Sequence, residues 1–174
     1  EEVHGNKTGF VYHEQYAWHN NGNWAGFLPS GFPVQLGMHV EHPETKRHFK
    51  NLLYAVGFID ELCLITPIAS LDEDILRFHK EDYCFSVKQI SEEAGRDAGE
   101  LTQLGLGSFE IAKLSAGGVI EATKAVLSGD VDNAYVLARP PGHHADADMG
   151  RGFCIFGNIV IAIKHARAQL GVGR

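Results

Sequence analysis

Apolar residues in this chain fall into two alternating patterns: short continuous runs, and longer stretches with helical spacing. Thr8 to Tyr12 reads as a short strand. Phe49, Leu52, Leu53 and Val56 share one face of a helix that Pro43 can open and Gly57 can stop. Leu62 to Thr66 then reads as a buried strand ended by Pro67. Ser70-Leu71-Asp72-Glu73 is a capping-box pattern before a short helix, and Tyr83 to Glu93 predicts another ahead of Gly95. Beyond the glycine-rich stretch 99–107, a helical stripe of Phe109, Ala112, Ala116, Val119, Ile120, Thr123 and Leu127 runs to Gly129. Asn133 to Ala138 reads as a further buried strand, and Ile159 to Leu170 as a helix closed by Gly171. Alternating strands and helices predict an α/β fold, a parallel sheet with helices on its faces. Ligands in such a fold sit beyond the carboxyl ends of the strands, which draws attention to the loop after Ala138.

One segment breaks the rhythm. Trp18 to Gly37 combines turn-forming Asn20 to Asn23, Gly26, Pro29, Gly31 and Pro33 with Trp18, Trp24, Phe27 and Phe32. A loop this long in a compact domain either packs its aromatics onto the core or presents them for binding or for association into a homo-oligomer.

The composition is ordinary for a globular protein, and 174 residues suit one domain with no repeat or linker to divide it. A net charge of -7 lacks the basic footprint of a direct nucleic-acid binder. No apolar run reaches the ~20 residues of a membrane helix. The opening Glu1-Glu2-Val3-His4 lacks the basic-then-apolar order of a signal peptide. Cys63, Cys84 and Cys154 are an odd set at wide spacing, indicating neither a disulfide framework nor a thiolate zinc site, and a cytoplasmic location is expected. The chain ends where another strand should begin, so an unpaired sheet edge is expected, to be covered by a missing segment.

Chemistry concentrates in Arg139-Pro140-Pro141-Gly142-His143-His144. Two prolines stiffen the chain as it leaves a strand, and on an irregular turn two adjacent imidazoles can reach one pocket, whereas in a helix or strand they diverge. Histidine exchanges protons near neutrality, so a pair can take a proton from water and deliver one to a leaving amine. The same pair is also compatible with a surface or structural role. Downstream, Gly152 allows close approach of a ligand to the backbone, and Phe153 can either wall a narrow apolar slot or join the core beside a tight turn. Cys154 is conceivable as a nucleophile or metal ligand with these histidines, but nothing nearby activates a thiolate, and a small buried residue is the better reading. The other histidines, His4, His13, His19, His39, His42, His48, His79 and His165, show no ligand spacing and read as scattered surface residues.

The run RPPGHH, followed by Ala145 and then Gly152-Phe153-Cys154 leading through Asn158 into a helix, resembles the catalytic-loop signature of the histone deacetylase and acetylpolyamine amidohydrolase family. His42 to Arg47 (HPETKR) is similar to the opening of a helix in its bacterial amidohydrolases and class II deacetylases, the closest group, and Phe109 to Gly118 resembles the family helix that precedes a sheet strand. The resemblance implies the N-terminal part of a three-layer α/β domain of the arginase/deacetylase kind, spanning 1–174. It also implies zinc-dependent hydrolysis of acetyl-amides on lysine side chains or polyamines. It gives His143 and His144 the catalytic proton-transfer roles, Gly152 and Phe153 the acyl-lysine channel, and Arg139 a place near the internal acetate exit. Glu100 lies near the position of an acidic rim residue, and Gly157 stands where relatives carry asparagine. The family's zinc ligands belong to a DxHHGNGT-like segment and a later aspartate, neither of which occurs here; Asp146 and Asp148 lack that spacing. The expectation is therefore an enzyme's first half, inactive alone, whose Zn2+ is held by the rest of the domain. A non-catalytic binding or assembly module is the alternative.

Overall fold

The computed structural model describes residues 6–173; Arg174 and the opening residues, including the Glu1 to His4 segment considered above, lie outside that range. The chain begins with strand β1 (Thr8–Val11), a 3-10 turn (Glu14–Trp18) and a small ribbon of β2 (Asn23–Trp24) and β3 (Gly37–Met38). Helix α1 (Glu44–Ala55), a 3-10 turn (Phe58–Glu61), β4 (Cys63–Ile65), α2 (Asp72–Leu76) and α3 (Glu81–Glu93) follow. Three two-residue strands, β5 (Arg96–Asp97), β6 (Gly99–Glu100) and β7 (Gln103–Leu104), lead to the long helix α4 (Ser108–Leu127). Strand β8 (Asn133–Val136), β9 (Gly150–Arg151) and α5 (Asn158–Gln169) complete the order.

The main sheet is parallel, in the order β4-β1-β8, with Phe10 opposite both Leu64 and Tyr135. Alternation across the strand divides its residues between two faces. On one, Phe10 packs with Leu53 of α1 and Ile59, and the Tyr135 ring lies 5.7 Å from that of Phe49. On the other, Val11 is buried beneath α4, close to Gly118. Helices α4 and α5 pack side by side and share a core with Tyr83, Val87, Ile90, Ile155 and Phe156. The result is helix, sheet, helix: the three-layer α/β arrangement, with α4 central because its stripe from Phe109 to Ile120 is buried along its length.

Several local expectations need correction. The strands read as buried are edge strands: Cys63 and Leu64 of β4 and Asn133 and Tyr135 of β8 are exposed, because among the described residues no further strand or helix covers them. The α1 stripe is likewise shallow, with no residue of that helix fully buried. Ser70 is not a helix cap; its Oγ donates to the Lys113 carbonyl of α4 at 3.1 Å, and Leu71 takes the N-cap position. The glycine-rich stretch holds β6, which pairs with the distant β9, and β7, which pairs with the nearby β5; strands of two residues leave no periodicity to read. No helix among the described residues is long and apolar enough to cross a membrane.

Candidate functional site

The loop that leaves β8 is clamped from two sides. Ser115, buried on α4, donates its hydroxyl to the Pro140 carbonyl at 2.8 Å and accepts from Asn158 Nδ2 at 2.9 Å. The same Asn158 amide lies so close to Gly142 that a Cβ there would stand 2.3 Å from Asn158 Cγ, which only glycine avoids. The far end of the loop is held by His79: its Nε2 accepts from the Gly157 N–H at 2.9 Å, so Nδ1 carries the proton facing the Ala147 carbonyl at 3.3 Å. Burial pushes the His79 pKa down to about 4, keeping it neutral for this task. Neither Ser115 nor His79 stood out as functional in the sequence. For Ser115 the signal was available, a hydroxyl inside an apolar helical stripe that must find a partner when buried. His79 corrects the surface reading of the histidines, as do His19 and His39, which are also buried.

His143 and His144 both emerge at the surface with ring centroids 4.1 Å apart. Partial burial, and next the neighbouring His144, hold the His143 pKa below its ordinary value. The parallel pairing of β6 with β9 continues as Gly152 N–H to the Glu100 carbonyl (2.9 Å) and Phe153 N–H to the Leu101 carbonyl (3.1 Å). Gly152, at φ 52, faces His144: a Cβ there would lie 2.8 Å from His144 Cδ2. Phe153 and Leu101 themselves hold positive φ of 71 and 56, a backbone strain that concentrates where a side chain must be aimed. The half-buried Phe153, next after Gly152, sets its ring edge-on to His39 (4.6 Å) and Trp24 (6.1 Å) and parallel to Phe27 (6.5 Å). The structure therefore brings His143, His144 and Gly152 together, with Phe153 the next residue along the chain. Asp146 and Asp148 pair with Arg151 (3.1 Å) and Lys80 (2.5 Å), and Glu100 with Arg151 (2.9 Å). Cys154 is fully buried beside the Gly152 carbonyl and its thiol pKa is raised by that burial, the opposite of an activated nucleophile.

Arg139 takes a different place. It is fully buried, and its Nε donates to Glu41 Oε2 at 2.9 Å. Nη1 donates to the Tyr16 carbonyl (3.2 Å) and to that of His19, while Nη2 donates to Asn21 Oδ1 (3.2 Å) and the Glu41 carbonyl (3.2 Å). A guanidinium has five N–H donors, and all find acceptors within the chain. Arg139 thereby ties the aromatic N-terminal loop to the start of the histidine loop.

Residues 39–174 match the histone deacetylase domain. The chain belongs to that family. It is similar to a histone deacetylase-like amidohydrolase of Pseudomonas aeruginosa, 45% identical over 171 residues, which cover 97% of this chain and 45% of that protein. A probable deacetylase of Archaeoglobus fulgidus is 33% identical over 159 residues, covering 90% of this chain and 40% of that protein. In fold, the chain matches the crystal structure of the HDA15 HD domain with a TM-score of 0.79, over 94% of this chain and 44% of that one, at 24% identity. The chain spans less than half the length of these relatives. Among the described residues, no three His, Cys, Asp or Glu side chains group closely enough to hold a metal ion.

Proposed function

We propose that this chain is the N-terminal part of a deacetylase domain that hydrolyses acetyl-amides, most directly on lysine side chains, with acetylpolyamines as the related substrate class. The observation that carries the reading is the His143–His144 pair, 4.1 Å apart on a loop clamped by Ser115, Asn158 and His79, with Phe153 beside it. His143, held neutral by burial and by its neighbour, is the member suited to accept a proton from an attacking water at neutral pH. The adjacent His144 ring, its centroid 4.1 Å from that of His143, is placed to deliver a proton to the departing amine. Gly152 and Phe153 form the wall along which an aliphatic linker lies, and Arg139, with every donor occupied, serves by positioning the loops instead of touching substrate.

No cluster of His, Cys, Asp or Glu among the described residues fits the zinc on which the family generally depends. On this proposal its ligands come from the remainder of the domain, and the site works in the cytoplasm of the cell. The test is acetate release from an Nε-acetyl-lysine peptide by the full-length protein, with His143→Gln and His144→Gln. Loss of a positioned acid or base is expected to lower turnover by roughly 100-fold or more. Acetate release unchanged in both variants, or none from the wild type, overturns the reading.

A further inference from the structure

The Phe153 wall does not end at Phe153. Ala25 and Leu28 exchange two backbone hydrogen bonds, 2.8 and 3.0 Å, closing a tight turn whose tip is Gly26 and Phe27. Its base is anchored by Trp24, only 1% exposed, whose Nε1 donates to the Asn21 carbonyl (2.8 Å) and Gln103 Oε1 (3.2 Å). The turn thus carries Phe27 on a braced arm, yet that ring is 66% exposed. It lies within 4° of parallel to the Phe153 ring, with centroids 6.5 Å apart. Near-parallel rings at this centroid distance form an offset pair, so the exposed Phe27 ring extends the Phe153 surface outward and keeps its solvent-facing area for a further group. Exposure rises from Trp24 through Phe153 to Phe27, which places Phe27 at the outer, solvent-facing end of the wall.

We propose that Phe27 is a specificity-determining residue that recognises an aromatic or bulky apolar group flanking the acylated lysine. This rests on the acetyl-lysine reading of the site. An alkyl linker lying on Phe153 leaves its outer neighbour against Phe27, where a flat apolar group gains a parallel ring face and a charged or small group gains little. The contact is made by substrate atoms remote from the amide, so it acts on binding and leaves the chemical step alone.

The experiment compares two probes on the full-length protein: Nε-acetyl-lysine capped by an aminocoumarin, and Nε-acetyl-lysine methylamide. Both KM and Kd are measured, the latter by calorimetry in the slow-turnover His143→Gln background. Phe27→Ala is expected to raise KM and Kd for the aromatic probe about 5- to 10-fold, with the methylamide and both kcat values within about twofold. Phe27→Tyr, which keeps the ring, is expected to match the wild type. Equal shifts for the two probes, or none, overturn the inference while hydrolysis by the wild type leaves the acetyl-lysine reading standing. Absence of both hydrolysis and calorimetric binding overturns both.

Discussion

Replacing Arg139 tests whether one guanidinium holds the two halves of the site together. Its five donors meet the Glu41 carboxylate, three backbone carbonyls and the Asn21 amide oxygen, all away from solvent. Arg139→Met leaves the Glu41 carboxylate, only 10% exposed, with Lys46 at 3.2 Å as its one cationic partner among the described residues. Removing one partner of a buried ion pair costs about 3 to 5 kcal/mol. Arg139→Lys keeps the charge but offers three donors without the planar fork, so at least two acceptors lose their bonds, at about 1 to 3 kcal/mol each where water does not reach them. The assay is urea denaturation followed by the emission of Trp24, whose indole bonds to Asn21 in the same loop. The expected order is wild type, then Lys, then Met, and Arg139→Met/Glu41→Gln should recover part of the loss because the stranded charge is gone. A loss below about 1 kcal/mol in Arg139→Met, with Trp24 emission unmoved, would refute the reasoning, since ordinary surface substitutions reach only half that.

Two further outcomes follow from the same contacts. Gly152→Ala places a methyl 2.8 Å from His144 Cδ2 on a backbone at φ 52; the strained φ costs roughly 1 kcal/mol, and displacement of the ring lowers kcat of the full-length protein by about 100-fold, so kcat within fivefold of wild type would contradict the placement. His79 titrates near 6.5 when unfolded but only at about 4 in the fold, so the unfolded chain binds more protons in between: stability is intact above 6.5 and falls by about 3 kcal/mol as pH drops towards 4. Urea midpoints across that range should fall less steeply in His79→Gln, and parallel curves would show that His79 is not the titrating group.

What the sequence made legible is what local spacing controls. The α4 stripe was readable because a helix repeats every 3.6 residues and its buried neighbours lie on the same element. Likewise, RPPGHH and Gly152-Phe153 are short runs whose chemistry shows in the residues themselves. That β4 and β8 flank β1 and are exposed among the described residues was not legible, because an apolar run does not say which strands lie beside it; that depends on pairing across the chain. The supports of the site were hidden for the same reason: His79 acts on Gly157 at a separation of 78 residues, Ser115 on Asn158 at 43, and Arg139 on Tyr16 at 123. No window along the chain contains both partners of any of these contacts. The groups offered to a substrate sit on short exposed loops, whereas the groups that aim them are buried polar side chains satisfied by distant backbone. A buried serine, histidine or arginine in an otherwise apolar neighbourhood is therefore the clue worth following, because each must be hydrogen-bonded somewhere. Here all three lead back to the loops around His143 and His144.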